Sequence, residues 1–146
     1  MNYQFARIAL DKTNYSTTVP WRILTPNNNT IEQLDAIYRT YCIYKKFPSV
    51  MPLFHSRYHD SATDIVGYFS STELVAFSLI KRYDKKNAEC AQFAWTYHDP
   101  KLRLGIETLK TECAIYKAQG FDYLYLEQAH LYKKEIDGFE LLGPLE

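Results

Sequence analysis

The chain has 146 residues, 47% of them hydrophobic and 23% charged, which is an ordinary mixture for one domain with one core. Seventeen basic and seventeen acidic side chains cancel, so no net charge attracts nucleic acid or an anionic membrane. No apolar run approaches the ~20 residues that span a bilayer, and the first ten residues do not resemble a signal peptide. We therefore expect one cytoplasmic domain, residues 1–146, with no membrane partner. Binding of tRNA is possible, but the net charge does not indicate it.

The cysteines and histidines predict neither disulfides nor a metal site. Cys42, Cys90 and Cys113 are an odd number at long spacings, which fits a reducing compartment and small buried apolar side chains. His55 and His59 have the spacing of one helix face, but they supply only two of the ligands that a metal needs.

The first third of the chain predicts two short strands and a helix. The strands are Tyr3 to Leu10 and Val19 to Leu24, and a polar loop follows the second. Thr30 and Gln33 have capping-box spacing, so we expect the helix to begin at Thr30. Its apolar stripe, at spacings of three and four, consists of Leu34, Ile37, Tyr38, Tyr41 and Tyr44.

The middle of the chain predicts three antiparallel strands. Asp64 to Ser70, Leu74 to Tyr83 and Ala88 to Tyr97 are rich in β-branched and aromatic residues. Short polar turns separate them, around Ser71 to Glu73 and around Asp84 to Asn87. Strands joined by such short turns form an antiparallel meander.

The last third predicts a long helix between strands. The helix ends near Gly120, which is placed as a C-cap, and a strand follows from Tyr123 to Glu127. A strand, a crossover helix and another strand form a right-handed βαβ unit, so this strand should run parallel to the third meander strand. A short helix, Gln128 to Lys134, and a strand, Gly138 to Leu142, complete an α+β (mixed α/β) domain. The apolar stripe of the long helix consists of Leu102, Ile106, Leu109, Cys113 and Tyr116.

Two stretches resemble known families. Residues 131–143, Leu-Tyr-Lys-Lys-Glu-Ile-Asp-Gly-Phe-Glu-Leu-Leu-Gly, resemble the closing motif of the GNAT-like acyl-CoA N-acyltransferases, with three residues rather than one before Gly-Phe. Residues 97–105, Tyr-His-Asp-Pro-Lys-Leu-Arg-Leu-Gly, and residues 120–126, Gly-Phe-Asp-Tyr-Leu-Tyr-Leu, are similar to the C-terminal domain of aminoacyl-tRNA–protein (arginyl) transferases, which share that fold. The resemblance implies the GNAT-like fold, a mixed sheet with a meander followed by a βαβ unit.

The resemblance also implies a donor site and a proton donor. Tyr132 corresponds to the family tyrosine that protonates the departing thiolate, and Glu127, at a strand end beside the cleft, would take the amine proton. The helix start would bind phosphate through its free N–H groups and its dipole, and a glycine there allows close approach. The donor-binding candidates are Tyr97, Arg103, Leu104, Gly105 and Ile106.

Three functions stay open at this point. The chain would transfer an acyl group from acetyl-CoA or another acyl-CoA to an amine of a small molecule or peptide. Alternatively, it would transfer an aminoacyl group from charged tRNA, or it is a non-catalytic binding domain with the same fold. Arg103 stands where the acyltransferase pattern has another glycine, which favours the binding domain. Tyr132 and the closing motif favour the enzyme.

Overall fold

Seven strands and two helices make up the part of the chain that the computed structural model describes, residues 4–45, 58–96, 104–126 and 135–144. A single 3₁₀ turn, Leu10–Lys12, follows the first strand. The helices are α1, Asn28–Lys45, and α2, Leu104–Ala118. The strands are β1 Gln4–Ala9, β2 Trp21–Ile23, β3 Thr63–Ser70, β4 Glu73–Arg82, β5 Asn87–Trp95, β6 Tyr123–Leu126 and β7 Phe139–Pro144.

The strands form one mixed sheet in the order β2-β3-β4-β5-β6-β1-β7. The meander β3-β4-β5 is antiparallel throughout, as its short turns predict. β5 and β6 are parallel neighbours, in register from Asn87 opposite Tyr123 to Cys90 opposite Leu126. This arrangement confirms the predicted α+β architecture of a meander followed by a βαβ unit, with α2 as the crossover.

The place of β1 in the sheet could not be predicted from its own residues. It lies between β6 and β7 and is antiparallel to both. At its end, the Ala9 N–H donates a 2.9 Å hydrogen bond to the Gly138 carbonyl oxygen. Gly138 has φ +78°, and a Cβ there would overlap the carbonyl oxygen of Ala9, so glycine is required at this approach.

Each face of the sheet is covered by one helix. Along β4, Phe77 and Leu79 point to the α1 face, whereas Ala76 and Ile80 belong to the core on the α2 face. This alternation follows from the two-residue period of a strand, and both sets are fully buried. The sheet is therefore the middle layer of three, and both of its faces are shielded by a helix near β4.

The start of α1 differs from the prediction. Asn27 caps the helix, because its Oδ1 accepts a 2.9 Å hydrogen bond from the Thr30 N–H, and the helix begins at Asn28. The Thr30–Gln33 capping box is therefore wrong. Asparagine is at least as good an N-cap as threonine, and it comes first in the chain. The predicted stripe is buried at Leu34 and Ile37 and ends with Tyr44, which is 60% exposed.

The end of α2 confirms the predicted glycine cap. Gly120 has φ +89°, its N–H donates to the Lys117 carbonyl, and the Phe121 N–H donates to the Tyr116 carbonyl, each at 3.0 Å. This is the Schellman arrangement, and the rings of Tyr116 and Phe121 pack edge to face with centroids 5.3 Å apart. Within the described residues, the α2 stripe of Ile106, Leu109, Cys113 and Tyr116 is buried.

Candidate functional site

A recess lies between the described parts of β5 and β6 and the start of α2. In the described residues, β5 and β6 are paired as far as Cys90 and Leu126, which is the last described residue of β6, and β5 extends to Trp95. The first half of α2 closes the space between the two strands. The recess is small, with a cavity volume of about 40 Å³. Its lining residues come from β4, β5, β6 and α2: Ser78, Cys90, Phe93, Gly105, Thr108, Leu109, Glu112 and Leu126.

A carboxylate lies at the inner end of this recess. Glu112 of α2 is only 3% exposed, and side chains from three neighbouring strands donate to it. Its Oε1 accepts a 2.6 Å hydrogen bond from the Tyr68 hydroxyl and another from the Ser78 hydroxyl. Its Oε2 accepts one from the Cys90 thiol at 3.1 Å. We call these four residues the Glu112 cluster; they connect β3, β4 and β5 to the helix.

Burial sets the protonation state of the phenol in this cluster. Burial, together with the nearby Glu112 charge and its hydrogen bond, raises the pKa of Tyr68 well above its usual value. The Tyr68 hydroxyl therefore stays neutral near pH 7 and donates to Glu112. Hydrogen bonds to a charged acceptor are stronger than those between neutral groups, so the cluster fixes the carboxylate in position.

The three cysteines have different environments. Cys42 and Cys113 are buried, as predicted, and burial raises the pKa of the Cys113 thiol above its usual value. Cys90 is only half-buried, lines the recess and donates to Glu112. The expectation that all three are simply small buried apolar residues is therefore wrong for Cys90.

The start of α2 forms another part of the recess wall. Gly105 is half-buried and lines the recess, whereas the side chains of Leu104 and Ile106 are buried in the core. A ligand at this helix start would therefore meet the backbone N–H groups of Leu104 and Ile106 rather than their side chains. Glu107, in the same turn, accepts a 2.8 Å hydrogen bond from the Thr18 hydroxyl.

Four of the predicted site residues cannot be placed. Tyr97, Arg103, Glu127 and Tyr132 lie outside the described residues. The predicted donor-binding roles of Tyr97 and Arg103 and the predicted catalytic roles of Glu127 and Tyr132 thus stay predictions.

Sequence reasoning missed the Glu112 cluster, although a signal was present. Glu112 follows Leu109 by three residues and precedes Tyr116 by four, so it lies on the buried stripe of α2. Ser78 likewise falls between Ala76 and Ile80 on the buried face of β4. A polar residue at the buried positions of both a helix and the facing strand predicts an internal hydrogen-bonded cluster.

The described residues include neither a metal-binding cluster nor a membrane-spanning helix. In that part of the chain, no group of three or more His, Cys, Asp and Glu side chains is placed to hold a metal ion. Neither described helix combines the length and apolar character needed to cross a membrane.

Comparison with known proteins finds similarity in structure only. No family model matches the chain, and no protein of curated function is similar to it in sequence. A C-terminal domain named for a lysylphosphatidylglycerol synthetase of Agrobacterium fabrum matches 87% of the chain, with 10% identity and a TM-score of 0.67. N-myristoyltransferase of Saccharomyces cerevisiae, with bound myristoyl-CoA, matches 99% with 10% identity and a TM-score of 0.64. A GCN5-related N-acetyltransferase of Kribbella flavida matches 99% with 14% identity and a TM-score of 0.58.

The chain spans about half the length of these proteins, 47%, 48% and 56% respectively. At such low identity the likeness concerns the fold, and it agrees with the observed strand order and crossover helix. The chain therefore has the GNAT-like fold that N-acetyltransferases and N-myristoyltransferases share.

Proposed function

We propose that the chain transfers an acyl group from acetyl-CoA or another acyl-CoA to an amine of a small molecule or peptide. The observation that carries this proposal is the recess between β5 and β6, which has the start of α2 on its wall and a buried carboxylate at its inner end. A fold alone does not specify an activity, but a recess with a glycine at a helix start and polar groups inside is suited to an elongated, partly anionic donor.

Backbone groups would hold the phosphate part of the donor. The first N–H groups of α2 have no partner within the helix, and the helix dipole favours an anion there. Gly105, without a side chain, leaves this backbone accessible from the recess. Glu107, the one acidic group of this turn, accepts a hydrogen bond from the Thr18 hydroxyl but keeps its charge, which would repel a phosphate.

The reaction would move two protons. An amine nitrogen attacks the thioester carbonyl carbon, a C–N bond forms and the C–S bond to CoA breaks. We propose that Glu127, directly or through water, accepts the proton that the amine loses, and that Tyr132 donates a proton to the departing thiolate. A positioned acid of this kind contributes about 10²–10⁴-fold in rate.

A thiol-release assay with a panel of amines tests the proposal. Once an acceptor is found, Tyr132→Phe should lower kcat at least tenfold while leaving the melting temperature nearly unchanged, because the ring remains and only the donor is lost. Equal kcat values would dismiss Tyr132 as the acid. If no acyl-CoA is turned over with any amine, the result would favour a non-catalytic binding domain. The presence of Arg103 in place of a glycine also favours that alternative.

A second candidate donor is an aminoacyl-tRNA. It is favoured by the resemblance of residues 97–105 and 120–126 to aminoacyl-tRNA–protein transferases. The balanced charge, 17 basic against 17 acidic residues, provides no broad attraction for tRNA. Melting curves with CoA, acetyl-CoA and charged tRNA compare the two donors, since a true ligand raises the melting temperature by mass action.

A further inference from the structure

Residues 13–19, which we call the strap, lie between the 3₁₀ turn and β2 and are fastened to α2. At one end of the strap, Lys117 Nζ donates a hydrogen bond to the Thr13 carbonyl oxygen. At the other end, the Thr18 N–H donates to Thr111 Oγ1 at 3.2 Å. Because Thr111 precedes Lys117 in α2, the strap runs from the last turn of the helix towards its first.

The far end of the strap holds the side chain of Glu107. The Thr18 hydroxyl donates a 2.8 Å hydrogen bond to Glu107 Oε2. The backbone of Thr18 is itself fixed by Thr111, whose side chain is fully buried and whose hydroxyl donates to the Glu107 carbonyl oxygen at 2.9 Å. The position of the Glu107 carboxylate is therefore determined by the strap.

This position is on the side of α2 away from the recess. At 3.6 residues per turn, Glu107 lies about 160° around the helix from Gly105. Gly105 lines the recess, whereas Glu107 meets the strap. The hydrogen bond from Thr18 thus keeps a negative charge away from the wall where the donor phosphates would bind.

Without this hydrogen bond, the Glu107 carboxylate would have another partner within reach. Side chains of a helix lean towards its N-terminus, and a glutamate in the first turn can reach back to the free N–H groups there. The proposed function assigns these N–H groups to the phosphates of the donor. A carboxylate at the same place would occupy the groups and repel a phosphate.

We propose that Thr18 is a positioning residue for donor binding, because it holds Glu107 on the strap side of α2 and so keeps the phosphate site open. The inference rests on the proposed function, which places the donor phosphates at the start of α2. Thr18 touches no reacting atom and acts through Glu107.

Calorimetry of CoA binding to Thr18→Val tests the inference, since valine retains the shape of the side chain and removes its hydrogen-bond donor. We expect CoA to bind about threefold or more weakly than to the unmodified protein. The difference should shrink as the salt concentration rises from about 0.02 M to about 0.5 M, because salt screens a repulsion between charges. Thr17→Val is the matched control: it makes the same change at the neighbouring exposed position and should leave the affinity unchanged.

Glu107→Gln shows whether Thr18 acts through the carboxylate. This change removes the charge, so CoA should bind as tightly as before or more tightly. Thr18→Val should then have no further effect when it is combined with Glu107→Gln, because no charge remains to be held away. A merely structural role of Thr18 would instead weaken binding equally with and without the Glu107 charge.

The outcomes separate this inference from the proposed function. Equal CoA affinity of the unmodified protein and Thr18→Val would overturn the inference and leave the CoA donor standing. A loss of affinity in Thr18→Val that persists beside Glu107→Gln, or that high salt does not reduce, would also overturn it. No CoA binding by the unmodified, folded protein would overturn the proposed CoA donor and the inference with it.

Discussion

The Tyr68 hydroxyl donates a 2.6 Å hydrogen bond to Glu112 Oε1 across the interface between β3 and α2, joining residues 44 positions apart in the chain. Both side chains are buried, at 0% and 3% exposure. The contact therefore belongs at once to the core, where it links sheet and helix, and to the candidate site, where it orients the carboxylate.

Tyr68→Phe should lower the free energy of unfolding by about 1.5–3 kcal/mol, the range for a hydrogen bond to a charged group. The ring keeps its packing, but the buried carboxylate loses one donor. Urea unfolding measures the change. Tyr83→Phe is the control, because Tyr83 is 58% exposed, and it should cost less than about 0.5 kcal/mol. Equal losses in the two variants would contradict the buried role of Tyr68.

Gly138→Ala should be much more destabilising than Gly120→Ala, although both glycines have positive φ. A Cβ at Gly120 has nothing within 4 Å, so only backbone strain of about 1 kcal/mol is expected. A Cβ at Gly138 overlaps the Ala9 carbonyl oxygen and would push β1 from its place beside β7, for a loss of about 3 kcal/mol or more. Thermal unfolding measures both, and similar losses would contradict the observed approach of β1 and Gly138.

The sequence predicts features that depend on neighbouring residues better than features that depend on contacts between residues far apart in the chain. The Gly120 cap and the described part of the α2 stripe, from Ile106 to Tyr116, are local patterns, and both are confirmed. The periodic patterns put Glu112 and Ser78 on buried faces, but they do not specify which residues far apart in the chain come into contact, and the position of β1 depends on such contacts as well. The start of α1 was missed for a smaller reason, since Asn27 and Thr30 are both good N-caps and only the backbone path decides between them.

Cys90 should react with iodoacetamide before the other cysteines, and CoA should slow that reaction. Cys90 is half-buried and lines the recess, whereas Cys42 and Cys113 are 1% and 0% exposed. Peptide mass mapping of the folded protein at short labelling times gives the order. Labelling of Cys113 first would contradict the described burial, and a rate at Cys90 that CoA leaves unchanged would argue against donor binding in the recess.

Stability should decrease in acid partly through Asp84. Hydrogen bonds from the Lys86 backbone N–H and the Asn87 side chain lower the pKa of Asp84 in the folded state. A carboxyl with a lowered pKa contributes stability that is present above its unfolded pKa, about 3.9, and lost as the pH falls through the folded value.

Asp84→Asn should therefore reduce the drop in melting temperature between about pH 5 and pH 2, because the amide oxygen still accepts but no longer titrates. Asp122→Asn removes the same charge from another exposed position and serves as the control. If the melting temperature of Asp84→Asn falls between about pH 5 and pH 2 as much as that of the unmodified protein, the proposed contribution of Asp84 is contradicted.

Calorimetry of CoA binding, to the unmodified protein and to Gly105→Val, tests the central claim most directly. The claim is that the recess beside the start of α2 holds the donor, with Gly105 leaving the backbone accessible. We predict that CoA binds the unmodified protein and that Gly105→Val weakens binding by about tenfold or more, since a branched side chain blocks the approach. The absence of any CoA binding by the unmodified, folded protein at millimolar ligand would contradict the claim.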